Sequence, residues 1–319
     1  MEEGAAVVVR DWLRLAEGER LSIVSDELHV AEAMAMRERG RDAGASPVVI
    51  IVPSSSPQSG EGFDERCAAF LGADAIVGAT HHSIMTTRAI RDAVRSGSRF
   101  LSVPLSTNDG SSLLEADFMT MDVEEAGRMG EAVASRVAGA SELRVRTALG
   151  TDLRVSVAGR AGSVFRGLCD RPGVSTSASF EYSTSVEESS AEGVLVLDGS
   201  MGYIGLAREP IRILLEGGRV AGIEPGGEGR RLAGYLAGFR DERMRVVGEL
   251  GIGLNTKASC AGRSYIEDEC AYGTFHLGLG RNVALGGLHY ANGHFDLVAR
   301  APDIDADGRP VMRGGAIAP

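Results

Sequence analysis

Two patterns of apolar and polar positions follow one another along the chain. Between residues 20 and 140, short apolar runs alternate with longer stretches of helical spacing. RLSIVSD (20–26), PVVIIVP (47–53), DAIVGAT (74–80) and RFLSVP (99–104) read as buried strands. HVAEAMAMRERGRDAG (29–44), DERCAAFLGA (64–73), IMTTRAIRDAVRSG (84–97) and DVEEAGRMGEAVASRVAGA (122–140) read as helices between and after them. Unbroken apolar runs separated by helical patterns imply parallel strands joined by crossover helices, because a strand covered on both faces has no polar side to show. Residues 1–140 are therefore expected to form an α/β doubly wound open-sheet domain.

Beyond residue 141 the period changes. ELRVRTALGTDLRVSVAG alternates apolar and polar positions around a GTD turn, which is the mark of a β-hairpin. GVLVLDGS, IRILLEGGRVAGIEP and RVVGELGIGLN continue in that style, and only GEGRRLAGYLAGFR (227–240) breaks it as a helix. The expectation is a β-rich α+β domain over 141–319.

Composition narrows the function classes. The chain of 319 residues has 44 acidic against 33 basic side chains, a net charge of -11, which disfavours nucleic acid or a membrane surface as partner. No apolar run approaches the ~20 residues of a membrane helix. The N-terminus begins acidic and shows no cleavage signature after its short apolar run, so it reads as mature protein. Cys67, Cys169, Cys260 and Cys270 form no CxxC pair and are expected as reduced thiols in a cytoplasmic protein, with Cys260 and Cys270 as small core fillers. No GxGxxG follows the first strand, so a dinucleotide site has no support.

The chemistry gathers near the C-terminus, where three of the six histidines (His276, His289, His294) fall within 275–296. In GHFD, residues two apart on a strand share a face, so His294 and Asp296 form half of a metal site. GTFHLGLG places His276 in a glycine-flanked strand, and GELGIGLN places Glu249 among apolar residues, where an unpaired carboxylate is costly to bury. Glu249, His276, His294 and Asp296 suit a divalent cation; buried hydrogen-bonded pairs would read the same on paper. Of YIEDEC, Glu267 and Asp268 read as a charged turn, and Glu269 as a general base or a partner to a ligating histidine. His289 reads as a loop residue and GLGRN as tight strand packing. Lys257 and Arg263 flank the site as a carboxylate clamp or as solvated surface. His81 and His82, in GATHHSIMTTRA just after the third strand, sit where open sheets keep ligand loops, and with Tyr290 they are the expected substrate-binding residues.

GELGIGLN, IEDECAYGTFHLGLGRN and GGLHYANGHFDLVARAPDIDADGRP, with VEESSAEGVLVLDGS before them, resemble the C-terminal half of the aminopeptidase T metallopeptidase family. That superfamily also contains 2,5-dihydroxypyridine 5,6-dioxygenase, an iron enzyme. The resemblance covers residues 180–312, with THHSIMTTRAIRDA the best local match before it. It implies that Glu249 bridges two metals, that His276, His294 and Asp296 are the remaining ligands, and that Glu181 in SFEYSTS stands nearest to an earlier glutamate ligand. The peptidases' ligand-region tyrosine is replaced by Val283, for which Tyr290 or Tyr265 could substitute. A homodimer is implied by the same resemblance.

Two functions follow from this reading. The first is metal-assisted amide hydrolysis on a short peptide or small molecule, aminopeptidase-like, with Zn, Co, Mn or Mg lowering the pKa of a bound water from ~16 toward ~7 and Glu249, Glu181 and Glu269 as catalytic carboxylates. The alternative is ring cleavage at a non-haem Fe(II), for which His276, His294 and Asp296 would form a two-histidine, one-carboxylate face. The dioxygenase branch carries histidine where this chain has Glu249, and the hard carboxylate there places the hydrolase first. The metal site is expected in the second domain, facing the cleft between the two.

Overall fold

The computed structural model describes residues 1–54, 70–85 and 87–319. These form two compact units, Met1–Glu124 with Phe165–Ala178, and Glu125–Val164 with Ser179–Pro319. A single cut at residue 140 does not divide the chain, because one late strand returns to the first sheet.

The first unit contains a five-stranded sheet of β1 (Arg20–Asp26), β2 (Ser46–Val52), β3 (Ala75–Ala79), β4 (Arg99–Ser102) and β8 (Ser175–Ser177). Their order is β2-β1-β3-β4-β8, and each neighbouring pair is parallel. Helices α1 (Glu2–Ala6), α2 (Val30–Asp42) and α3 (Arg88–Arg95) belong to this unit, and α2 packs on β1 and β2. β3 and β4 are buried throughout, as their unbroken apolar runs require. β2 departs from the sequence reading. It is an edge strand with Val48 and Ile51 exposed, a position that an apolar run cannot distinguish from a central one. α3 begins four residues later than its pattern, where the Thr87 hydroxyl accepts the Ile90 amide and caps the first turn. The expected helix over 64–73 falls, for 64–69 and with Cys67, outside the described residues.

The second unit is built from two sheets. One has eight strands, β5 (Glu142–Arg146), β6 (Asp152–Ser156), β10 (Glu192–Leu197), β11 (Ile211–Glu216), β12 (Arg219–Ile223), β16 (Asp303–Ala306), β17 (Arg309–Arg313) and β18 (Ala316–Ile317). The hairpin read from the GTD turn is present, with β5 antiparallel to β6 and Arg146 opposite Asp152. The other sheet holds β7 (Gly162–Phe165), β9 (Glu181–Ser185), β13 (Val247–Gly253), β14 (Thr274–Gly280) and β15 (His294–Arg300), in the order β15-β14-β13-β9-β7. Helices α4 (Val123–Val137), α5 (Gly227–Gly238) and α6 (Tyr265–Cys270) accompany these two sheets.

Both sheets send side chains into one core. Leu143, Val145, Leu153, Leu195 and Ile213 come from the first, and Leu250, Ile252, Phe275, Leu277, Phe295 and Leu297 from the second. Each leucine or phenylalanine so buried contributes about 1.5–3 kcal/mol relative to exposure. That commitment fixes which face of β13, β14 and β15 turns inward, and therefore which residues lie on the opposite face.

Candidate metal centre

The pleat assembles the site. On β14, Phe275, Leu277 and Leu279 enter the core, so His276 and Gly278 project from the other face. On β15, Phe295, Leu297 and Ala299 enter the core, which leaves His294 and Asp296 on the other side. Tyr182 of β9 joins the core while Glu181 and Ser183 face away from it. β13 needs a correction to its alternation, because Val247 and Leu250 both enter the core. A bulge between Val247 and Glu249 supplies it and turns Glu249 to the site face.

Register then brings the rows together. Asp296 lies opposite Gly278, Gly278 opposite Glu249, and Glu249 opposite Ser185; one row further, His276 lies opposite Gly251 and Gly251 opposite Ser183. The glycines between the polar residues are required by space. A Cβ on Gly278 would stand 2.6 Å from His294 Cε1 and 2.7 Å from Glu249 Oε2, and one on Gly251 would overlap the His276 ring.

Two sets of three ligand atoms result, each within 4.8 Å of one another and sharing Glu249: Glu181, Glu249, His276, and Glu249, His294, Asp296. His294 Nε2 lies 2.9 Å from Glu249 Oε2 and 3.0 Å from Asp296 Oδ1. His276 Nε2 lies 3.4 Å from Glu181 Oε2 and 3.7 Å from Glu249 Oε1. Among the described residues, His276 groups with Glu181 and Glu249, not with His294 and Asp296, so the two-histidine, one-carboxylate face does not form as one compact set.

Surrounding hydrogen bonds orient these side chains. His294 Nδ1 meets the Arg281 carbonyl at 2.8 Å, which directs Nε2 to the carboxylates. The Ser179 hydroxyl donates to Glu181 Oε1 at 2.9 Å, and the Ser183 hydroxyl donates to Glu249 Oε1. Sequence reasoning missed both serines, although Ser183 shares the face of Glu181 by the same period of two.

Electrostatics point the same way. Burial works against charge on both imidazoles, but the carboxylates outweigh it and push His276 up to about 9 and His294 well above the usual histidine range. Burial likewise opposes ionisation of Glu249, yet His276 and His294 hold it below the usual carboxylate range. Burial pushes Glu181 up, and burial with Asp296 and Glu181 raises Glu269 further. This cluster of carboxylates draws positive charge, and a divalent cation would supply it while leaving both imidazoles neutral. Glu181 Oε2 and Glu269 Oε2 are buried without a hydrogen-bond partner, which also fits a cation binding beside these carboxylates. The donor set of imidazole and carboxylate is that of first-row divalent metals.

Other residues singled out in the sequence lie elsewhere or in another state. Glu267 and Asp268 are not a surface turn but buried parts of α6. Glu267 pairs with Arg263 at 2.7 Å, and Asp268 accepts the Gly262 amide at 2.8 Å. Arg263 is thereby engaged within the chain. The Lys257 amide donates to Asn255 Oδ1. Tyr265 is buried against Tyr203, with ring centroids 4.2 Å apart. Tyr290 is 68% exposed, Val283 starts a short 3-10 turn, and His289 reaches the Arg243 carbonyl at 2.8 Å. Cys270 is buried and Cys260 half-buried, both as free thiols. His81 and His82 belong to the first unit.

A mixed α/β protein with a sheet carrying a cluster of imidazole and carboxylate side chains that could hold a metal ion is thus defined. Residues 12–319 match the 2,5-dihydroxypyridine 5,6-dioxygenase family, and the chain belongs to that family. It is 28% identical over 191 residues to a 2,5-dihydroxypyridine 5,6-dioxygenase of Pseudomonas putida, covering 56% of this chain and 54% of that protein. The chain thus spans about half the length of the curated relative that it matches. The solved 2,5-dihydroxypyridine dioxygenase from Pseudomonas putida superposes with a TM-score of 0.83 at 21% identity, over 99% of this chain and 96% of that one. Wild-type AmpT from Thermus thermophilus gives 0.68 at 17% identity, over 100% and 98%. At these identities the two structures show a common fold and nothing finer.

The family match overturns the expected amide hydrolase, and with it the metallopeptidase and aminopeptidase assignments. The aminopeptidase T resemblance reflects shared architecture. The physical error lay in treating the carboxylate of Glu249 as evidence against iron. Non-haem Fe(II) sites themselves use carboxylate ligands, so donor hardness does not separate the two chemistries.

Proposed function

We propose that this chain is an Fe(II)-dependent dioxygenase that opens the ring of a dihydroxylated pyridine. The observation that carries this reading is the family match over residues 12–319. Glu249, His294 and Asp296 would hold the metal, with Glu181 and His276 beside them sharing Glu249. When bound, Fe(II) supplies the one-electron chemistry that lets dioxygen react with a closed-shell aromatic ring.

The protein's own contribution is placement and proton control. Ser183 fixes one oxygen of Glu249, and the Arg281 carbonyl fixes the ring of His294, so the ligand atoms are set before anything binds. Glu269, buried with Oε2 unpartnered, would hold a proton at that atom and donate it to a ring oxygen of the substrate. Tyr290, in the same unit as the metal cluster, remains a proposed contact to substrate.

The test is anaerobic loading of metal-free protein with Fe(II), followed by 2,5-dihydroxypyridine and air-saturated buffer. Oxygen uptake equal to substrate consumed, with loss of the aromatic absorbance, is expected. No uptake with Fe(II) across a panel of dihydroxypyridines would overturn the proposal.

A further inference from the structure

The first unit carries a second group of reactive side chains, at the carboxyl ends of its parallel strands. Open parallel sheets bind ligands there, where the strand order reverses. In this sheet the reversal lies at β1, which is flanked by β2 and β3. β1 ends at Asp26, β3 runs into Thr80 and His81, and β4 runs on to Ser106. Buried Asp26 accepts the His81 amide at 2.6 Å and the Leu28 amide at 3.1 Å, which ties the loops after β1 and β3 together.

Three side chains form a continuous line across these loops. Ser106 Oγ lies 3.2 Å from His81 Nε2, and His81 Nδ1 lies 3.1 Å from His29 Nε2. His29 Nδ1 then faces Glu32 Oε1 at 3.8 Å, an electrostatic contact too long for a hydrogen bond. The two imidazole planes differ by 19° with centroids 5.4 Å apart. Rings that nearly coplanar and that far apart, with nitrogens 3.1 Å from each other, point head to head, as in an N–H···N hydrogen bond. Two ligands of one cation would converge on a third point instead. One arrangement of protons orients both hydrogen bonds toward the carboxylate. Ser106 donates to His81 Nε2, His81 Nδ1–H donates to His29 Nε2, and His29 Nδ1–H faces Glu32. Burial, then the neighbouring His29, lowers the pKa of His81, which keeps its imidazole neutral and able to accept a proton near pH 7.

We propose that Ser106 is a nucleophile toward small carboxylic esters, with His81 as its general base and His29 as the positioning residue that holds His81 in the required tautomer. This is the nucleophile, base and orienter relation of hydrolytic serines, and every member lies in the first unit. Ser106 Oγ bonds to the acyl carbon while its proton passes to His81 Nε2. The ester C–O bond breaks, and the alcohol leaves with that proton. Water, deprotonated by the same nitrogen, then displaces the acyl group as carboxylic acid and restores Ser106. Ser106 is 9% exposed, so the substrate must be small.

The test uses the metal-free full chain with diisopropyl fluorophosphate and, separately, p-nitrophenyl acetate. With the first probe an O–P bond forms at Ser106, the P–F bond breaks, fluoride leaves and His81 takes the proton. Peptide mapping is expected to find one adduct, on Ser106, absent in Ser106→Ala and formed at least tenfold more slowly in His81→Gln. Nitrophenol release should fall in parallel. For His29, nitrogen-15 NMR is expected to show the His81 proton on Nδ1, lost in His29→Ala and restored in His29→Gln, whose amide oxygen accepts at the same place. An adduct elsewhere, no adduct, or an unchanged rate in His81→Gln overturns the proposal. So does a wild-type His81 with its proton on Nε2, whatever the variants do.

Discussion

Between Asp296 and Glu249 on neighbouring strands the register sets Gly278, and the space left by its missing side chain is filled by the His294 ring and the Glu249 carboxylate. Gly278→Ala therefore pushes ligands apart without touching the core. Metal affinity is expected to fall by about 10–100-fold, the range seen when groups that position metal ligands are lost. Calorimetric titration with Fe(II) under nitrogen reads it, and unchanged affinity would place the metal elsewhere. Ser183→Ala should lower affinity in the same direction, since it frees one oxygen of Glu249 to rotate.

At the scale of elements, single features decide how strands present their residues. The β13 bulge is one, since Glu249 would face the core without it. The start of β4 is another. Arg99, with 4% of its side chain exposed, is held by Glu19 through contacts of 2.6 and 2.7 Å. Glu19→Gln leaves that guanidinium buried without its anion, at a cost of roughly 3 kcal/mol, the lower end for a broken buried pair because Glu19 is partly exposed. The hydrogen bond from Arg99 holds the Glu19 carboxyl below its usual range. A lowered folded pKa stabilises above the unfolded value of about 4.3 and ceases to do so as pH falls through the folded value. Urea unfolding from pH 7 to 3 should show wild type and Glu19→Gln converging at the acid end; a gap that persists there would remove the pair as its cause.

For the whole molecule, metal binding at this cluster would be linked to folding. A cation that binds only the folded second unit stabilises it by about 2.7 kcal/mol at a hundredfold excess over its dissociation constant. For a unit of this size that is roughly 5–10 °C in the unfolding midpoint. Anaerobic calorimetry with Fe(II) should show the shift in wild type and none in the His294→Ala, Asp296→Ala double variant. An equal shift in that variant would remove both residues from the ligand set. Among the described residues no helix is long and apolar enough to cross a membrane.

Much of this was written in the order of apolar and polar residues. Unbroken runs separated by helical patterns located β1, β3 and β4, because a strand buried on both faces has no polar alternative. Alternation located the β5–β6 hairpin, and HxD put His294 and Asp296 on one face, since the pleat allows nothing else. Contacts between distant segments were not legible. The return of β8 to the first sheet, the bulge that turns Glu249 and the burial of Glu267 and Asp268 in α6 each depend on partners far along the chain. The line from Ser106 through His81 to His29 is set by three strand ends that only the sheet order brings together. Local sequence determines which way a side chain can point; only the packed sheets decide what it meets there, because register is set by whole cores rather than by single residues.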